Sequence, residues 1–142
     1  LMTPLLRKTF GALTVRKTQD QPNDDTVLRR SSIYQASTDI KILDAELRIS
    51  VQALPAGFIV QLQNENRLFG QLLQDFAIPV RIAERELYQT TDKDSDTPRW
   101  GRRVTLYHSD TKGFICKVDE LLVEDDRLLP LLLTAHVAST AP

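Results

Sequence analysis

Two strand-like runs in this chain place charge among apolar side chains. In Phe114 to Leu122, FICKVDELL, residues Phe114, Cys116, Val118, Glu120 and Leu122 share one face, because successive strand side chains point to opposite sides. Glu120 is the only polar member of that face, so it is expected to look inward with the rest. In Arg99 to Leu106, residues Trp100, Arg102, Val104 and Leu106 share a face, and Arg102 is the odd member. An inward carboxylate opposite an inward guanidinium can hold a polar ligand and move a proton. The same pair can also be a purely structural ion pair. Burying either charge alone would cost several kcal/mol or force it neutral. A third candidate lies in Thr26 to Ala36. One face carries Val27, Arg29, Ser31, Ile33 and Gln35; the other carries Leu28, Arg30, Ser32 and Tyr34. Each face holds one arginine, so one of the two is expected to point inward. Periodicity leaves open which, and both could reach water along their stems.

These residues need a scaffold, and 142 residues suit a single domain spanning 1–142. The chain is 42% hydrophobic and 26% charged, ordinary for a globular protein. A net charge of −1 gives no indication of a nucleic-acid or anionic-membrane partner. Cys116 is the only cysteine, which excludes an internal disulfide and a cysteine-built zinc site. It fits a reducing, cytoplasmic location. His108 and His136 are too few and too far apart for a recognisable metal cluster. No apolar run is long enough for a membrane span; the longest, Leu128 to Leu133, is broken by Pro130. Arg7 and Lys8 follow the first apolar run instead of preceding it, so no secretory leader is expected. There is no internal repeat.

In chain order, Thr3 to Phe10 is expected to be a short helix capped by Thr3, with Pro4 at its first position and Gly11 ending it. Ala12 to Thr18 alternates as a short edge strand, and Gln19 to Asp25 is a turn cluster. Thr26 to Ala36 and Ile40 to Val51 are strands, the latter with Leu43, Ala45, Leu47, Ile49 and Val51 as its apolar face. Pro55 to Gln63 and about Asn66 to Phe76 are helical. Gly70 marks a tight contact, a later helix start or a ligand close to the backbone. Pro79 to Thr90 is a strand with Val80, Ile82, Glu84, Glu86 and Tyr88 on one face, and Thr91 to Pro98 is a polar loop. Asp125 or Asp126 can cap a last helix through about Ala138, packed by Leu128, Leu129, Leu132 and Leu133. Short consecutive links predict an α+β fold: an antiparallel sheet of about six strands with helices on one face.

Several stretches, from roughly Val27 to Val123, together resemble the chorismate lyase (chorismate pyruvate-lyase) family, especially its short, divergent members from photosynthetic lineages. The most specific is Trp100-Gly101-Arg102-Arg103, followed by a strand, a turn and Asp119-Glu120-Leu121-Leu122. Asp44 to Ile49 with Leu54-Pro55, Leu68 to Leu73, and Leu28-Arg29-Arg30 match further segments in order. Phe69 stands where leucine is usual, Ser31 and Ser32 occupy normally apolar positions, and the family's amino-terminal segment is not recognisable before Gln19.

The resemblance implies a six-stranded antiparallel sheet whose ligand is enclosed beneath helical flaps. It implies conversion of chorismate to 4-hydroxybenzoate, a quinone precursor, and pyruvate, with no cofactor. By position, Glu120 matches the catalytic glutamate. Arg29 matches the carboxylate-binding arginine, with Arg30 as the alternative register. Phe69 matches a position whose backbone touches the aromatic acid, and Gly70 adjoins it. The chemistry is consistent: an arginine holds a carboxylate by a bidentate fork, an inward glutamate transfers a proton, and Arg102 holds the second carboxylate or balances Glu120. The competing reading is a non-catalytic binding domain of the same fold, as in the sensing domains of bacterial transcription regulators. Such a domain needs the arginine but not the glutamate. The Trp100 to Arg103 run and Glu120 favour the lyase, as does the expectation of no DNA-binding domain ahead of the fold. A monomer or small homo-oligomer is expected.

Overall fold

The computed structural model describes residues 2–22, 25–64, 67–91, 98–123, 125 and 127–138. Helix α1 (Thr3–Phe10) precedes strands β1 (Leu13–Pro22), β2 (Thr26–Gln35) and β3 (Ile40–Ser50). A short helical turn at Val51–Ala53 leads to helices α2 (Ala56–Asn64) and α3 (Phe69–Asp75). Strands β4 (Val80–Thr91), β5 (Pro98–His108) and β6 (Phe114–Leu122) and helix α4 (Leu128–Ala138) complete the order. The strands form one antiparallel sheet in the order β1-β2-β3-β6-β5-β4. The α2–α3 crossover carries the chain to the far edge, and two hairpins bring it back, so β6 ends beside β3 at the centre.

The alternation expected for β2, β3, β5 and most of β6 is observed, because one face of each strand is covered by helices. Two apolar clusters fill that side. Around α2 and α3, Phe58, Leu62, Phe69 and Leu72 pack on Leu47, Ile49, Val104, Leu106 and Ile115. Around α1 and α4, Met2, Leu6, Phe10, Leu128 and Leu132 pack on Ile33, Leu43 and Leu122. The opposite face is open and charged, with pairs such as Arg103–Asp119 at 3.1 Å and Arg30–Glu46 at 3.0 Å.

Several expectations are corrected. Gln19 to Pro22 is strand rather than turn, because β2 offers partners for it from Val27 to Arg30. Thr3 does not cap α1. Met2 is the cap residue, and no side chain bonds the helix end; Gly11 does end the helix, at φ 75°. Helix α3 starts at Phe69, not near Asn66, which lies outside the described residues along with most of the Thr91 to Pro98 loop and Asp126. Leu133 is exposed; Leu128, Leu132 and Ala135 are the buried positions of α4.

Two bulges change which side chains face the helices. In β4, Glu84 takes a left-handed φ of 53°, and the register with β5 slips between Ala83 and Glu86. An extra residue inverts the alternation beyond it. Val80 and Ile82 therefore face the core, whereas Glu84, Glu86 and Tyr88, expected on the same face, do not. Arg85 and Leu87 turn inward in their place. A second slip between Leu106 and Tyr107 turns Phe114 outward against Tyr107 and buries Ile115.

Candidate functional site

Strand register builds a polar seam between the two apolar clusters. Glu120 of β6 sits directly between Ala45 of β3 and Arg102 of β5, and Arg102 is opposite Leu87 of β4. Arg29 lies on β2 opposite Leu47, and Ser31 opposite Ala45. All four polar residues are buried: Arg29 and Arg102 are 1% exposed, Glu120 4% and Ser31 5%. The two-fold ambiguity of the β2 arginines is thereby resolved. Arg29 points beneath the helices, while Arg30 points to the open face, where its Nε donates to Glu46 Oε2 at 3.0 Å. Arg30 is therefore no part of the site.

Arg29, Ser31 and Glu120 line one small cavity with Phe69 and Gly70 at the start of α3, Thr3 of α1, and an apolar wall that includes Leu47, Leu68 and Val118. Its volume is about 30 Å³. That space admits a water molecule rather than an aromatic acid, so the expected ligand-sized enclosure is not open in this conformation. Arg29 donates through Nη2 to the carbonyl of Arg67 at 2.8 Å, tying β2 to the segment that enters α3. Arg67 in turn pairs with Asp75, which anchors that segment to the end of the same helix. Arg102 does not line the cavity; it stands behind Glu120.

The electrostatics of the seam follow from burial. Burial raises the pKa of Glu120, partly offset by the positive charge of Arg102. Burial lowers that of Arg102; the charge of Glu120 opposes the shift, and the charge of Arg85 adds to it. Glu120 Oε1 makes no hydrogen bond among the described residues. Arg85 donates through Nη2 to Ile82 O at 3.3 Å, and its Nε is buried. Arg29, Arg85 and Arg102 are the described cations of this seam, with Arg102 directly opposite Glu120. Chemically, the seam can hold a carboxylate by a planar guanidinium fork and offer it a hydroxyl from Ser31. A protonated Glu120 can donate a hydrogen bond or a proton.

No protein-family model matches this sequence. No curated protein matches it either. Solved structures do match in three dimensions. PhnF from Mycobacterium smegmatis superposes with a TM-score of 0.61 at 13% identity, over 82% of this chain and 60% of that one. The ligand-binding domain of a protein assigned to the GntR family of transcriptional regulators, from Bordetella bronchiseptica, superposes with a TM-score of 0.58 at 11% identity, over 80% of this chain and 86% of that one. YydK from Bacillus subtilis, a transcriptional-regulator candidate, gives 0.53 at 6% identity, over 79% and 57%. The fold is chorismate lyase-like. It is the fold of regulator ligand-binding domains, and the chain spans about three fifths of the length of PhnF and YydK.

Sequence reasoning singled out Glu120, Arg102, Arg29, Phe69 and Gly70 as candidates. The structure brings all but Arg102 to the rim of one cavity and places Arg102 directly behind it. Three neighbours of the cavity and seam were not singled out as candidates. Ser31 shares the Arg29 face and was legible once that face was known to be covered. Thr3 reaches the cavity only because α1 crosses the sheet. Arg85 is turned inward by the Glu84 bulge, which alternation alone does not anticipate. No helix among the described residues is long and apolar enough to cross a membrane.

Proposed function

We propose that this chain is a small-molecule-binding domain whose ligand carries a carboxylate, recognised on the covered side of the sheet by Arg29. The observation that carries this reading is the meeting of Arg29, Ser31 and Glu120 at one buried cavity, in a fold shared with regulator ligand-binding domains. The buried guanidinium of Arg29 at the cavity wall supports an anionic ligand over a neutral one. Occupation requires the wall made by Thr3 and by the start of α3 to move outward, since the closed cavity is water-sized. Such opening couples ligand binding to the position of α1 and α3. A cytoplasmic location is part of the same proposal.

A second reading is favoured by one specific observation. Glu120 is fully buried with its pKa raised, opposite Arg102 in the Trp-Gly-Arg-Arg strand that resembles the lyases. A protonated carboxyl there could give its proton to the ether oxygen of chorismate as the ring carbon–oxygen bond breaks and enolpyruvate leaves, to tautomerise to pyruvate. The carboxylate so formed takes back the proton lost from the hydroxyl-bearing ring carbon as the ring aromatises. One experiment separates the two. The protein is incubated with chorismate while pyruvate is followed, and in parallel is heated with and without 4-hydroxybenzoate. Binding without turnover predicts a raised melting temperature and no pyruvate. Pyruvate formation that Glu120→Gln abolishes establishes the lyase instead. Neither a melting shift nor pyruvate overturns both.

A further inference from the structure

Beside the polar cavity lies a cleft of about 600 Å³, lined by α1, α3 and the β4–β5 end of the sheet. Its floor and back wall are aliphatic: Leu73, Ile78, Val80, Ile82 and Leu106 face it. Its volume falls within the range of sites for drug-sized ligands. Polar groups stand mainly on its helical walls. There Arg7 Nη1 donates to Gln71 Oε1 at 2.5 Å, bridging α1 to α3 in an exposed position. Thr3 and Gly70 line both this cleft and the cavity of Arg29 and Glu120. The apolar cleft and the buried polar cavity therefore share a wall, to which Gly70 contributes only backbone.

We propose that the cleft takes the apolar body of an amphipathic monocarboxylic acid, with the acid group directed past Thr3 and Gly70 toward Arg29. The placement deepens the carboxylate-binding reading and rests on it for the head group. It explains why the polar cavity is too small to hold an acid by itself: the acid group alone enters it, and the rest of the molecule has its own chamber. A floor of methyl and methylene groups offers no hydrogen-bond acceptor or donor, so the body is aliphatic or aryl-aliphatic rather than a sugar. Charge complementarity agrees, since Arg7 stands on a wall of the cleft and Arg29 lies beyond the shared one.

The test is calorimetric titration of the whole chain with hexanoate, octanoate, decanoate and 4-hydroxybenzoate, the acids kept below their micelle-forming concentrations. Affinity should rise roughly threefold or more per added methylene, as apolar burial requires. Ile82→Trp and Val80→Trp fill the cleft without opening a void. Each should flatten the chain-length dependence and weaken decanoate at least about tenfold more than 4-hydroxybenzoate. Near-ultraviolet circular dichroism verifies that either variant is folded, and two variants guard against one failing to fold. Affinity independent of chain length, or decanoate binding untouched by both folded variants, overturns the proposal. Arg29→Met separates the two readings. If it leaves every acid unaffected while the tryptophan variants block decanoate, the cleft stands and the arginine reading fails. If 4-hydroxybenzoate binds through Arg29 but no alkanoate binds, the arginine reading stands and the cleft proposal falls.

Discussion

Glu120 and Asp44 are two half-hidden and hidden carboxyls that respond to pH in opposite senses. Burial raises the folded-state pKa of Glu120, so the folded chain binds that proton more tightly than the unfolded one. Its contribution is fully present below the unfolded glutamate value of about 4.3 and is lost as pH rises through the higher folded value. At Asp44, burial alone would raise the pKa. Hydrogen bonds from Ser32, Arg99 and Lys41 outweigh that and hold it low, so its contribution is lost as pH falls. Glu120→Gln removes the first effect and leaves the second. Relative to the parent, the variant should therefore gain stability progressively as pH rises above about 4.3, measured by denaturant unfolding at a series of pH values. A difference that does not vary with pH would show that burial does not perturb this carboxyl. Arg29 is tested by ligand affinity. Arg29→Met should weaken 4-hydroxybenzoate by about tenfold or more, the scale of a lost charge-assisted bond. Arg29→Lys should not restore it fully, because a point charge lacks the planar fork. Equal affinities across the three proteins in calorimetry would remove Arg29 from recognition.

At the scale of elements, the hairpin of β4 and β5 shows why a glycine sits between Trp100 and Arg102. Gly101 pairs with Tyr88, and a Cβ at Gly101 would overlap the Tyr88 ring. That ring is fixed twice over: its hydroxyl bonds Asp119, and the Arg103 guanidinium lies 3.8 Å from its centroid. Gly101→Ala should cost about 1–3 kcal/mol, as overpacking does, and Tyr88→Ala should remove most of that added cost in a double-mutant cycle. Additivity of the two changes would contradict the packing account. The same hairpin marks where the sequence stopped being legible. Alternation identified the covered faces of β2, β3 and β5 because helices bury one side of each. It put Glu84, Glu86 and Tyr88 on one face with Val80 and Ile82, whereas a single left-handed residue splits that face and nothing in Ala-Glu-Arg-Glu signals the bend. Gln19 to Pro22 has turn composition and is nevertheless strand, because pairing with β2 overrides local preference.

At the scale of the molecule, a crossover and two hairpins put β6 against β3 and slide a polar seam between two apolar clusters. The number of strands and their antiparallel sense could be inferred from short connections. Which arginine of β2 was covered could not, because that depends on where α3 docks, and neither could the crossing of α1 that brings Thr3 to the cavity. On the proposed reading, opening of the helical layer admits the ligand, so a bound acid should lie under α1 and α3 and not on the charged open face. The most direct test is a crystal structure of the chain with 4-hydroxybenzoate. It should show the carboxylate bonded to Arg29 beside Glu120, with Thr3 and the first turn of α3 displaced outward. An acid seated only on the open face among Glu46, Arg103 and Lys117, with the Arg29 cavity still closed, would contradict the assignment of the covered seam as the binding site.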